Sequence, residues 1–242
     1  MIRFECDYGE GAAQPVLDLL QKTNLEQTPG YGMDDYCDQA RGLIRKLCDA
    51  PDAGVHFFVG ATQANFTVVD ALLKPWQGVL CADSGHINVH ETGAVEATGH
   101  KCLALPSVQG KITAQQVRDA YDAHWADASH EHIAQPGMVY ISNPTEDGTG
   151  SSPYYTRAAK ADRQAMRIRA AFEAKGCAML FDSPTNQQFP ILPNSWYNAL
   201  SEKYAMTLTA KPDAEHTAVR FCTSWATRDE DVDALLADIA SL

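Results

Sequence analysis

Apolar and polar positions follow two periods along this chain. Residues 55–59 (VHFFV), 79–82 (VLCA), 101–105 and 138–141 are short apolar runs bounded by turn formers, and they predict four strands. Helical spacing predicts helices over residues 15–20, 34–47 and 64–73, the last stopped by Pro75. A further helix opens at Thr113, with Gln116 at the capping-box position. Its face is marked by Val117, Ala120, Tyr121 and His124, spaced i, i+3, i+4, i+7. Strands alternating with helices in this way predict a mostly parallel sheet covered on both faces, an α/β fold.

The texture changes at residues 143–153 (NPTEDGTGSSP), a run of loop formers. Beyond it, a long amphipathic helix is predicted over 157–175. Ala161, Ala165, Ile168 and Phe172 share one face, and Gly176 is the stop. Short strands are expected at 178–181, 206–209 and 218–222. Thr227 and Glu230 predict a capping box for a last helix with apolar face Val232, Leu235, Leu236 and Ile239. The organisation expected is an N-terminal arm with part of a large α/β domain over 1–149, then a small α+β domain over 150–242.

Composition narrows the class. The 242 residues are 45% hydrophobic and 21% charged, ordinary values for a soluble globular protein. A net charge of −12 argues against nucleic acid and anionic membrane as partners, because both call for a basic face. The seven cysteines are odd in number and form no C-x-x-C pair, which suits buried thiols in a reducing cytoplasm and no structural zinc. MIRFECDYGEG has two acids in its first seven residues and no apolar run, so it does not read as a secretory signal, and no apolar run is long enough to span a bilayer.

Four places could carry chemistry. The Gly60-Ala61-Thr62-Gln63 turn joins a strand to a helix; taken alone it reads as a plain βα turn, yet its outward N–H groups and the Thr62 hydroxyl also suit an anion. His86 and His90 stand four apart beside Glu91. Their order does not match H-E-x-x-H and no third ligand is evident, so no metal site is expected. A histidine just past a strand end suits either a hydrogen-bonded rim or a stack on an aromatic ligand. His124, His130 and His132 lie in a polar stretch that reads as a solvated loop. Arg220, inside the apolar run VRFC, needs an anionic partner, either a structural carboxylate or that of a substrate.

The segments CDYGEGA (6–12), GYGMDDYC (30–37), VGATQAN (59–65), GHINVHETGAVEATGHK (85–101), QGKIT (109–113), ISNPTEDGT (141–149), SPTNQQF (183–189) and VRFCTSWAT (219–227) stand in an order that resembles the threonine aldolase branch of the aromatic amino acid β-eliminating lyases. That branch belongs to the fold-type-I pyridoxal-phosphate enzymes. The resemblance implies a three-layer α/β/α large domain, incomplete here, with a small α+β C-terminal domain. It implies that Gly60, Ala61 and Thr62 hold the cofactor phosphate, with Ala61 standing where the family more often has Gly. His86 would stack on the pyridine ring and Glu91 would lie beside it. Thr145 and Glu146 would lie near the substrate hydroxyl, and Arg220 would bind the substrate carboxylate. The implied reaction is retro-aldol cleavage of a β-hydroxy-α-amino acid to glycine and an aldehyde, with His86 or Glu146 as the base. Family members are usually homotetramers, so a homo-oligomer is expected.

One departure is large. The family follows its E-x-G-T motif with a strand ending in Asp-Gly-Ala-Arg, and later with a Gly-Gly-Thr-Lys segment that supplies the Schiff-base lysine. Here Gly148-Thr149-Gly150 runs straight into residues resembling the start of the C-terminal domain, and on the order of a hundred family residues have no counterpart. None of the lysines follows Thr. A catalytically inactive remnant or oligomer partner is therefore the alternative expectation.

Overall fold

The computed structural model describes residues 1–142, 145, 146 and 156–242, the first four of the last span by their backbone alone. The chain divides into two compact units: Met1–Glu10 together with Val68–Leu242, and Gly11–Thr67. In chain order the elements are β1 (Ile2–Arg3), α1 (Gln14–Thr23), α2 (Asp35–Leu47), α3 (Ala61–Leu72), β2 (Gln77–Ala82), α4 (His86–Val89), β3 (Cys102–Leu105), α5 (Ala114–Ala126) and β4 (Gln135–Val139). They continue with α6 (Thr156–Ala174), β5 (Gln187–Gln188), β6 (Ile191–Pro193), α7 (Asn194–Ser201), β7 (Tyr204–Ala205), β8 (Thr207–Ala210), β9 (His216–Cys222) and α8 (Asp229–Ser241).

In the Gly11–Thr67 unit, α2 starts at Asp34, whose side chain accepts the Cys37 N–H. Arg41 and Arg45 reach back to backbone carbonyls at Gly32 and Ala53, at 2.7 and 2.8 Å, and so pin the segments flanking the helix. The helices themselves bury no side chain.

The larger unit holds two cores. The first forms around a parallel sheet of order β3-β2-β4. Central β2 is buried along nearly all its length, and Val79 and Cys81 pack with Val69, Leu73, Ile87 and Val95. Gly78 lets β3 approach, since a Cβ there would meet the Lys101 carbonyl oxygen at 2.7 Å. On α5 the capping box forms as the sequence predicts. The second core belongs to the C-terminal half. Long β9 pairs antiparallel with β5, β6 and β8. Ile168 and Phe172 of α6 pack with Val219 and Phe221 of β9 and with Val232, Leu235 and Ile239 of α8. Phe4 completes this core, carried by β1, which pairs parallel with β7.

Several local expectations are corrected. Residues 55–59 form no strand: among the described residues no strand pairs with them, and Val59 is fully exposed. Residues 178–181 contribute only a single bridge, Met179 to Pro190. Thr227 does not cap α8; Arg228 occupies that position, and the Thr227 hydroxyl accepts the Ser224 N–H instead. His124 is buried on α5 rather than solvated. Most of the loop formers 143–153, and the 149/150 boundary, lie outside the described residues.

Candidate active site

The site begins where β2 ends. Asp83 accepts hydrogen bonds from Ser84 N, Ser107 N and Ser107 Oγ, which hold its carboxyl below the usual carboxylate range and tie the end of β2 to the end of β3. Gly85 then lets the chain turn, since a Cβ there would sit 3.0 Å from the Ala82 carbonyl. His86 follows at the start of α4. Its backbone N–H donates to Glu146 Oε1 at 2.8 Å, and the Ser142 hydroxyl donates to the same oxygen at 2.9 Å.

The His86 ring is oriented through its side chain. Nδ1 lies 2.8 Å from Glu91 Oε1, and the Glu91 side chain is fully buried while the His86 side chain is 43% exposed. A carboxylate at Nδ1 fixes the proton there and leaves Nε2 and one ring face to the cavity. The turn that carries Glu91 continues through Thr92 at φ 54° and Gly93 at φ 74°. A β-branched residue at positive φ is costly, and such strain persists where surrounding structure holds it.

The opposite wall comes from the C-terminal sheet and the N-terminal segment. Residues two apart on a strand share a face, so Arg220 and Cys222 of β9 point the same way. Arg220 NH2 donates to the Glu5 carbonyl at 2.9 Å, and the Thr207 hydroxyl donates to the same carbonyl at 3.0 Å. Asn186 holds Asp7 by a 3.0 Å bond. Burial pushes the Cys222 thiol up to about 12, so it stays protonated. Between the walls lies a cavity of ≈ 520 Å³, whose lining includes Tyr8, His86, His90, Thr145, Glu146 and Arg220. This volume suits a small organic ligand.

The structure therefore brings His86, Thr145, Glu146 and Arg220 to one cavity, with Glu91 behind His86. The Gly60-Ala61-Thr62 turn belongs to the Gly11–Thr67 unit, where it opens α3 and the Gly60 carbonyl accepts the Ala64 N–H at 3.1 Å. His86 and His90 hold their rings 5.6 Å apart, and among the described residues no three His, Cys, Asp or Glu side chains form a metal-holding group. Sequence reasoning missed Asp7, Tyr8 and Gln187, which also line the cavity. Their only signal was membership of the motifs at 6–12 and 183–189.

A pyridine ring fits the exposed face of His86, and an anion fits Arg220, whose Nε is buried without a partner. Among the described residues no lysine lines this cavity, so its described lining offers no amine for covalent attachment.

A parallel β3-β2-β4 sheet with an acid-backed histidine at its carboxyl end, closed by a C-terminal sheet, is the architecture of the fold-type-I pyridoxal-phosphate enzymes. An alanine–glyoxylate aminotransferase from Nostoc sp. shares that fold with a TM-score of 0.61 at 12% identity, over 100% of this chain and 95% of its own. The chain belongs to the beta-eliminating lyase family, which matches residues 19–174. It is 26% identical over 188 residues to the low specificity L-threonine aldolases of Pseudomonas sp. and Pseudomonas aeruginosa, a match spanning 75% of this chain and 53% of each relative. The chain thus spans about half the length of the curated relatives it matches. The solved threonine aldolase of Leishmania major superposes with a TM-score of 0.94 at 25% identity, over 100% of this chain and 99% of that one. The family depends on pyridoxal phosphate. Among the described residues, no helix is long and apolar enough to cross a membrane.

Proposed function

We propose that the cavity is a threonine-aldolase-type site taking a β-hydroxy-α-amino acid, whose cleavage would yield glycine and an aldehyde. The observation that carries this reading is the Arg220 guanidinium, with a buried Nε lacking a partner in the cavity wall. A buried donor left unpaired costs about 1–3 kcal/mol, so a ligand carboxylate that meets it is strongly favoured. His86, held by Glu91, would face the pyridine ring of pyridoxal phosphate, and Gly60, Ala61 and Thr62 would bind its phosphate. Thr145 and Glu146 would face the substrate hydroxyl, with Glu146 or His86 accepting its proton. The acidic chain and its free thiols support a cytoplasmic location, and the exposed leucines of α1 and α2 support a homo-oligomer, a tetramer or dimer.

A second reading is favoured by the lack of a lysine among the described residues of the cavity: binding of amino acid and cofactor without turnover. One experiment separates them. The protein is incubated with pyridoxal phosphate and L-threonine, acetaldehyde is measured, and intact mass is read after borohydride reduction. Acetaldehyde with a phosphopyridoxyl mass increment supports the lyase. Saturable threonine binding with neither signal supports the binding reading. No threonine binding at all sinks both.

A further inference from the structure

We propose that Gln187 sets ligand choice in this cavity by accepting a hydrogen bond from the side-chain hydroxyl of the bound amino acid before Glu146 or His86 takes that proton in turnover, an inference that rests on the amino-acid reading above. Gln187 Oε1 is buried and has no hydrogen-bond partner, although Gln187 lines the cavity. Buried polar groups are rarely left unpaired, and one that is points to a missing partner.

The register places it well. Gln187 lies opposite Cys222, so its side chain shares a face with Cys222 and, two positions further along β9, with Arg220. Diagonal neighbours of this kind lie about 7–8 Å apart, a gap that a small amino acid bridges. The adjacent Gln188 also has an unpaired buried Oε1, but it lies on the other face and does not line the cavity; its amide nitrogen is spent on the Ser183 and Thr185 carbonyls at 3.0 and 2.8 Å.

Charge selects the donor. The ligand's ammonium group is complemented by the carboxylate of Asp7 on the cavity lining. A neutral amide oxygen then suits a neutral hydroxyl, whose desolvation costs far less than that of a charge. Arg220 Nε supplies the donor for the carboxylate, and Gln187 Oε1 supplies the acceptor for the side chain.

The test is calorimetric titration of the full chain with L-threonine and with L-2-aminobutyrate, which lacks only the hydroxyl. The intact protein should prefer threonine by about tenfold or more. Gln187→Leu should bring threonine down to the affinity of 2-aminobutyrate while leaving the latter unchanged. Gln187→Glu keeps an acceptor and should keep the preference, which holds the test open if the leucine variant fails to fold. A preference that survives Gln187→Leu, or equal loss for both ligands, overturns the assignment while the amino-acid site stands. Failure of the intact protein to bind either ligand overturns the amino-acid reading and this inference with it.

Discussion

Helices α1 and α2 on one side, and α6 and α8 on the other, carry the same kind of amphipathic pattern and meet opposite fates. In α6 and α8, Ile168, Phe172, Val232 and Leu235 are all at 0% exposure. In α1 and α2, Leu17, Leu20, Leu43 and Leu47 stay between 45% and 69% exposed. An apolar stripe records that a helix face wants cover; it does not record what supplies it. The C-terminal helices find cover within the chain. In the Gly11–Thr67 unit the leucines of α1 and α2 stay exposed, and Tyr31 and Val59 are fully exposed.

The contrast can be tested from its strongest side downward. Phe172→Ala empties a fully buried site and should cost about 3–5 kcal/mol in urea unfolding. Gly78→Ala forces a Cβ to 2.7 Å from the Lys101 carbonyl and should cost about 1–3 kcal/mol by the same measurement.

The thiols give a graded effect. Burial pushes Cys81 up to about 11 and Cys102 up to about 12, against an ordinary value of 9.0. A raised folded-state pKa stabilises fully below 9 and is lost as pH climbs through the folded value. Urea midpoints should therefore fall between pH 9 and 12. At pH 8, iodoacetamide should label exposed Cys48 and leave Cys81, Cys102 and Cys222 untouched until unfolding.

The smallest effect is expected at Leu20→Ala. It should change the stability by less than about 0.5 kcal/mol in urea unfolding. A cost like that of Phe172→Ala would erase the contrast between the two regions.

Where a signal was self-contained, the sequence could be read directly. The Thr113–Gln116 box formed, the face Ala161, Ala165, Ile168 and Phe172 went inside, and Gly176 stopped α6 at φ 83°. A strand, by contrast, exists only with a neighbour, so the strand-like composition of residues 55–59 formed no ladder. The two-residue strands β1, β5 and β7 are set by partners far away in the chain and leave no periodic trace. Around the cavity, His86, Glu146 and Arg220, with Glu91 behind His86, stand out in the sequence because their motifs resemble a family. Gln187 does not, because a buried unpaired oxygen on the cavity lining is a property of the fold.

The pairing of β1 with β7 also bears on when the cavity comes into being. Glu5, whose carbonyl steadies Arg220, is 215 residues away from it in sequence, and Asp7 is 179 from Asn186. Contacts of such separation are slow to form, because a long loop must be closed before any contact repays it. On the ribosome, residues 2–8 emerge long before β9 is made, and domains generally fold as whole units. This wall of the cavity is thus among the last parts of the molecule to assemble, after translation has passed Arg220.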